Sequence, residues 1–391
     1  MGRVTVPAEG DPLEGERVPV AAGGLREAVV AMLSSHWRDG GYTVPHSSVY
    51  PWQWLWDSCF HALLWAELGD ADRAVAELAN LLAGQDELGF VPHMTYHGDP
   101  GAGAAFWGRT GSSSITQPPL YGHAVAELVR RGITVPEVVV DRAASGLGFL
   151  LAHRARTVDG LITVVHPWET GCDDSPRWDG WCPGGYEPAR FRQIKGELLA
   201  TVERAESGAP LANPAFAVAS AGFNALVAWN ALELATAVDD ERLVAAATEL
   251  AEALDRRWDP DRVTWTDDGP HASGRVRTAD ALLVGLVAPR PEAFTALADP
   301  RGLGGAYGPA GTDRGEPTHD PDAYWRGPVW PQLTYLLQRA ALAAGDPVAE
   351  TLAEGLRAGA TTSGLAEYWN PDTGAAGGAV PQSWAGLALL V

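Results

Sequence analysis

Apolar residues recur at three- and four-residue spacing along most of the chain, the periodicity of a helix that buries one face. Residues 24–37, 57–69, 70–84, 117–132, 138–155, 189–205, 213–238, 239–258, 278–288, 327–345 and 346–362 carry it. The spacing therefore predicts eleven helices, with a shorter one over 291–298 and a partial one over 382–391. Several start after Asp or Asn and stop before Gly, the residues that satisfy free backbone groups at helix ends. Strand-like alternation is confined to 162–166 and 262–266. About a dozen consecutive helices, joined by loops of very unequal length, predict an all-α fold. The expected architecture is an (α/α)6 barrel, a toroid of paired inner and outer helices. No Gly/Ser linker or break in composition divides residues 1–391, so one domain is expected, with residues 1–23 as an irregular N-terminal arm.

The aromatic and polar clusters fall between the helices or at their starts, over 50–57, 86–117, 166–188, 300–330 and 364–384. In a helical toroid such loops can open on one face. Tryptophan sharpens the picture, since 16 Trp against 9 Tyr and 8 Phe reverses the usual order. Trp37, Trp65 and Trp258 end apolar helical stretches and read as core. The others sit beside acids, amides and arginines. There a ring can stack on the C–H face of a sugar while its neighbours take the hydroxyls. In YPWQWLWDSCF (50–60), Trp52, Trp54 and Trp56 alternate in an extended segment around Gln53. Asp57 then either caps a helix or accepts sugar hydroxyls. SSSITQPPL (112–120) follows a Gly-rich stretch, HGDPGAGAAFWGRTG, which reads as a cover over a site. Gln117 either reaches into that site or simply caps the next helix.

Acids concentrate in HPWETGCDDSPRWDG (166–180). As a metal-binding helix this stretch fails, because Asp173 and Asp174 run straight into Ser-Pro, which a helix does not easily continue. His93 and His97 have the spacing of a zinc helix without its intervening Glu. No metal and no cofactor are expected. Two further motifs are AYWRGPVWPQLTYLL (323–337) and GLAEYWNPDTGAAGGAVPQSW (364–384), the second placing Glu367 before Tyr368 and Trp369, with Trp384 beyond a turn. One acid near 173 and another near 367 come from distant loops and can flank a bond from opposite sides. Glycoside hydrolysis needs that arrangement: one carboxylic acid protonates the leaving oxygen, and one carboxylate activates water or attacks directly. Two other classes stay open at this point. A sugar isomerase or epimerase on the same barrel would rely on histidines, which are scarce in these clusters apart from His166. A non-catalytic sugar-binding protein would need no pair of acids.

Charge narrows the partners. Acidic residues outnumber basic ones by 49 to 28, a net charge of −21, which repels nucleic acid and anionic membrane. Neither is an expected partner; a small sugar is. The stretch MGRVTVPAEGDPLEGERV lacks the apolar core of a signal peptide, and no apolar run is long enough to span a bilayer. Cys59, Cys172 and Cys182 form an odd set without metal-like spacing, as in a reducing compartment. A cytoplasmic protein is expected; nothing in the chain specifies an oligomeric state.

YPWQWLWDSCF, ITQPP, HPWETGCDDSPRWD, FNALV, YWRGPVWP and EYWNPDTGAAGG followed by QSW, in that order, resemble glycoside hydrolase family sixty-three. The similarity runs from about residue 24 to the C-terminus and is greatest to the small bacterial mannosylglycerate and glucosylglycerate hydrolases. The resemblance implies an (α/α)6 barrel and metal-free, inverting hydrolysis of an α-glycoside. It matches Asp173 to the general acid, with a pKa raised by tryptophan-lined surroundings, and Glu367 to the general base. Tyr50, Trp54, Trp56 and Asp57 are then expected to bind the sugar, with Gln117, Trp325, Arg326, Trp330, Gln382 and Trp384 nearby. Arg326 either orients Glu367 or Asp57 or forms a structural ion pair. Arg109, Arg177, Arg190 and Arg192 are the loop cations available to an anionic glycerate. The chain departs from the family pattern at Asp174 (usually Asn), at Gln332 and Thr334 (usually within P-N-x-N-Y), and at Trp229 (often Arg). These departures leave both catalytic positions intact and bear on the glycerate specificity.

Overall fold

Helices form where the apolar periodicity puts them, and the inner ones differ from the outer ones in a way the sequence carries. The computed structural model describes residues 24–182, 185–272 and 276–391; the arm expected over 1–23 lies outside them. Within them are α1 (Leu25–His36), α2 (Leu55–Glu67), α3 (Ala71–Ala83), the single-turn α4 (Ala104–Trp107), α5 (Tyr121–Arg130) and α6 (Glu137–His153). Then follow α7 (Pro188–Leu198), α8 (Ala221–Val238), α9 (Glu241–Asp255), α10 (Pro291–Ala298), α11 (Pro331–Ala343) and α12 (Val348–Ser363). α2 buries every residue from Leu55 to Trp65, and α8 every residue from Ala221 to Ala231. Helices apolar all round belong inside; α9, which buries only Leu243, Ala247, Leu250, Ala253 and Leu254, belongs outside.

The inner ring runs α2, α5, α8, the 3-10 segment Asp280–Leu286, α11 and the 3-10 segment Ser383–Leu389, each touching the next and the last touching α2. α3, α6, α9 and α12 pack on their inner partners, α1 packs on Ser383–Leu389, and α10 lies against α12. This is the expected (α/α)6 barrel. Two of its inner members are 3-10 rather than α. Each is a seven-residue stretch, too short to gain many i→i−4 bonds after the cost of nucleation, so the tighter i→i−3 pattern competes.

α8 starts later than the periodicity predicts. Ser220 caps it by accepting from the Phe223 amide, and Val218 and Ala219 instead bridge to Val164 and Asp268. Strand pairing is limited to short two-stranded ribbons among the described residues. Thr264–Trp265 pairs with Trp258–Asp259, whereas 162–166 makes only isolated bridges. Trp258, three residues past the end of α9, sits in this ribbon against Trp265 and packs, partly buried, on the main core as expected. No helix among the described residues is long and apolar enough to cross a membrane.

Each long loop enters an inner element at its N-terminal end. Residues 50–54 lead into α2, 112–120 into α5, 324–330 into α11, and 364–382 into Ser383–Leu389. That shared polarity brings segments hundreds of positions apart to one end of the ring.

Candidate active site

At that end a cavity of about 250 Å³ is lined by residues from five separate segments. All the sequence-derived site residues except Arg326 and Trp330 line it: Tyr50, Trp54, Trp56, Asp57, Gln117, Asp173, Trp325, Glu367, Gln382 and Trp384.

Glu367 is buried and fixed on both carboxylate oxygens. Tyr50 Oη donates to Oε1 at 2.9 Å, and the Ala379 amide donates to Oε2 at 2.8 Å. Burial pushes its pKa up to about 7, against these two bonds, which favour the ionised form. The turn that brings Ala379 around needs Gly378, at φ +68°; a Cβ there would lie 2.4 Å from Glu367 Oε2. Gly378→Ala should therefore displace the carboxylate and lower kcat at least about tenfold. Steady-state kinetics beside a thermal melt checks this, since a protein that melts normally and turns over normally would show that the carboxylate tolerates the methyl group.

Asp57 is not the helix cap considered above. Trp54 holds the N-cap position of α2 without a side-chain bond, and Asp57 lies in the first turn. Gln382 bonds the Asp57 carboxylate, while burial, with the Glu367 charge adding to it, raises its pKa to about 7. Asp57 Oδ1 is buried without a hydrogen-bond partner, as are Trp54 Nε1 and Trp325 Nε1. Buried polar atoms are nearly always satisfied, and these three unpartnered ones belong to residues that line the cavity. Trp56 meets Trp384 edge to face with centroids 5.7 Å apart. Trp384 Nε1 donates to the Glu367 carbonyl at 2.8 Å, and Gln117 Oε1 accepts from the Trp56 amide at 3.5 Å.

The acids of 166–180 divide by their partners. Glu169, fully buried, takes Arg154 on both oxygens and the amides of Thr116 and Val165. Asp174 accepts from Lys195 Nζ at 2.6 Å and Tyr186 Oη at 3.0 Å. Asp179 takes a two-pronged bond from Arg326 at 2.6 and 2.7 Å. Asp173 alone of the four lines the cavity. The segment is seated from below as well: Gly171, at φ +70°, lies so close to Trp56 that a Cβ would be 2.5 Å from the ring.

Arg326 therefore does not orient Glu367 or Asp57. It ties the 324–330 loop to the acid segment through Asp179, with its guanidinium 3.4 Å from the Tyr186 ring centroid. Trp330 is buried behind the cavity wall, stacked on Trp325 at 3.6 Å and 6°. Trp325 holds this position at φ +57°, a backbone conformation that a bulky side chain rarely adopts outside functional sites. None of the four loop arginines lines the cavity. Arg177 is buried between Asp267 and Asp280, Arg109 donates to Ser112 Oγ, and Arg190 and Arg192 lie exposed on α7. The family departures also lie off the cavity. Trp229 packs on His123 in α8, and Gln332 and Thr334 are buried in the first turn of α11. Sequence reasoning missed Tyr96, Phe106, Trp107 and Trp168, which also line the cavity. The signal was present for two of them, because Phe106 and Trp107 are the apolar pair inside the Gly-rich stretch. Among the described residues, no three His, Cys, Asp or Glu side chains converge as a metal would require.

The family model for the mannosylglycerate hydrolase MGH1-like glycoside hydrolase domain matches residues 50–385. The chain is 30% identical to the mannosylglycerate hydrolase of Thermus thermophilus, over 90% of this chain and 96% of that one. It is 28% identical to the glucosylglycerate hydrolase of Mycolicibacterium hassiacum, over 90% and 94%. A crystal structure of the family sixty-three mannosylglycerate hydrolase from Thermus thermophilus, in complex with Tris and D-glycerate, covers 93% of this chain and 99% of its own. The TM-score is 0.78 at 26% identity. With the match running from Tyr50 on the cavity wall to the segment that closes the helical ring, the chain belongs to the mannosylglycerate hydrolase MGH1-like family of glycoside hydrolases.

Proposed function

We propose that the protein hydrolyses a small α-glucoside or α-mannoside with inversion, Asp173 acting as general acid and Glu367 as general base. The observation that carries this reading is the division of the acids: of the four in 166–180, only Asp173 shares the cavity with Glu367. Glu367, fixed by Tyr50 and Ala379, takes a proton from a water whose oxygen attacks the anomeric carbon. The bond to the leaving oxygen breaks on the opposite face, and Asp173 gives that oxygen its proton. The proton gained by Glu367 leaves to solvent, and Asp173 regains one from solvent, which restores the starting state. Asp57 and the indole N–H groups of Trp54 and Trp325 take hydroxyls of the sugar, which stacks on the surrounding rings.

The size of the cavity supports a small substrate, since about 250 Å³ is at or below the roughly 300–1,000 Å³ of ordinary ligand pockets. The relatives named for mannosylglycerate and glucosylglycerate hydrolysis make glycerate conjugates the reference substrates. A cytoplasmic location accords with three buried free cysteines. The experiment is stereochemical. Proton NMR of an early reaction mixture from an α-linked substrate should show the β-anomer before mutarotation mixes the two. Early α-anomer would instead mean a covalent intermediate, with Glu367 as nucleophile.

A further inference from the structure

Behind Asp57 runs a second polar chain that does not reach the cavity. Glu77 enters it from α3, His61 from α2 and Ser383 from the start of Ser383–Leu389, and all three are fully buried. None of them lines the cavity. Glu77 Oε1 accepts from the Thr43 amide at 2.6 Å and stands 3.8 Å from His61 Nδ1. His61 Nε2 meets Ser383 Oγ at 2.6 Å. The Ser383 hydroxyl donates to Gln382 Oε1 at 3.2 Å, and the Trp384 amide donates to the same oxygen at 2.9 Å. Gln382 in turn bonds the Asp57 carboxylate. A serine, a histidine and a glutamate in this order make up a hydrolytic triad, but a serine so deeply buried cannot meet a substrate. The chain serves the residues in front of it.

Counting protons fixes the direction of its bonds. Burial lowers the His61 pKa to about 3, so the ring is neutral and carries one N–H. Ser383 has one O–H. If that hydrogen pointed at His61, Ser383 and Gln382 would face each other with lone pairs across 3.2 Å. Donation from His61 Nε2 to Ser383, and from Ser383 to Gln382, satisfies both contacts. Two observations favour the same arrangement. His61 Nδ1 has no hydrogen-bond partner among the described residues, and a buried lone pair goes unpaired more readily than a buried N–H. Burial also raises the Glu77 pKa to about 8, so at neutral pH Glu77 puts no negative charge beside Nδ1. With Gln382 Oε1 held by two donors, only the N–H2 end of the amide is left for Asp57. The titratable groups around this chain are few. His36 faces His61, Tyr42 faces Glu77, Glu77 and Cys59 lie behind Asp57, and Glu367 lies in front of it.

We infer that His61 and Ser383 are positioning residues for the reaction, holding the Gln382 amide with its N–H2 toward Asp57 so that this carboxylate meets the sugar as an acceptor. This rests on the glycosidase reading above. Ser383→Ala leaves Gln382 Oε1 with one donor and lets the amide oxygen turn to Asp57, which disfavours the ionised acid. The acid limb of kcat/KM, which Asp57 shares with Glu367, should then move up by about one pH unit. On α-glucosyl or α-mannosyl fluoride the variant should be slower than wild type by about fivefold at pH 7 and nearly equal to it at pH 9. A packing defect would instead lower the rate by one factor at every pH, and the position of the limb is independent of how much of the variant is folded. His61→Leu, which lacks a donor, should move the limb as Ser383→Ala does. His61→Gln, whose amide can donate from the same place, should restore it. Nitrogen NMR of histidine-labelled protein reads the bonds without catalysis and should show the His61 proton on Nε2 at pH 7. A proton on Nδ1, or an acid limb that Ser383→Ala and His61→Leu leave in place, would overturn the inference. If the wild-type protein cleaves neither fluoride, the glycosidase reading falls and the positioning role with it. If it cleaves one and the limb stays in place, only the positioning role falls.

Discussion

Asp173→Asn and Glu367→Gln should each lower kcat by about three orders of magnitude on a glycoside with a poor leaving alcohol, since positioned acid or base help is worth roughly 10²–10⁴. The two losses should differ in kind. Without Asp173 the departing oxygen leaves unprotonated, so a phenol activated by nitro groups, which needs no proton, should recover most of the lost rate in Asp173→Asn. Glu367→Gln should gain nothing from the better leaving group, because its defect lies in the attacking water. Neither variant should unfold. Gln can accept from the Ala379 amide through its oxygen and donate its NH2 to the Tyr50 hydroxyl, and it removes an ionisable group from a buried site. Rate recovery in Glu367→Gln with absence of recovery in Asp173→Asn would reverse the two roles. Near-native turnover by Asp173→Asn on the poor alcohol would remove Asp173 from the chemistry.

Activity and stability should move in opposite directions with pH. Glu367 must be ionised to take a proton, and burial holds its pKa near 7. kcat/KM should thus fall about tenfold per pH unit below 7, reaching about a hundredfold at pH 5. Asp57, raised to about 7 by burial with the Glu367 charge adding to it, titrates in the same range. The acid limb therefore belongs to the pair rather than to one residue. For stability the sign is the reverse. In the unfolded chain both groups ionise near 4, and in the fold near 7, so between these values the folded state binds more protons. Raising the pH through that window lowers stability, and above about 7 the loss is complete. The buried histidines His36, His61, His93 and His166, held neutral by burial, add stability as the pH rises towards 6.5, so the share of the two carboxyls should show above it: melting temperatures measured from pH 6.5 to 8 should decline, with a shallower slope in Glu367→Gln. A rate plateau extending down to pH 5 would mean that the base is not the buried Glu367.

The ring of helices was legible because its amphipathic members repeat every three to four residues and its inner members are apolar throughout. Asp280–Leu286 and Ser383–Leu389 were legible as buried but not as 3-10, because hydrophobicity reports burial and not the hydrogen-bond pattern chosen by a short stretch. Glu367 and Asp173 stood out by their aromatic neighbours. What remained hidden was partnership. Arg326 sits in a tryptophan-rich motif, and nothing local shows that it reaches Asp179, 147 positions away, rather than Glu367. The Gly-rich stretch before Ser112 contributes Ala102, Gly103, Phe106 and Trp107 to the cavity lining. Its glycines obscured that Phe106 and Trp107, on the single turn of α4, line the cavity.

The seam between α2 and Ser383–Leu389 has a consequence for how the protein is made. His61 Nε2 meets Ser383 Oγ at 2.6 Å across 322 positions of chain, and the same segment delivers Gln382 and Trp384 to the cavity. A ribosome releasing this chain from its N-terminus produces α2 long before its closing neighbour exists. Until then the inner faces of α2 and α11 stand open at the gap. Contacts so distant in sequence form late and slowly, and the exposed apolar edges invite association meanwhile. The cleavage pocket is therefore among the last parts to form, and a chain stalled before residue 383 carries five of the six staves and no working site.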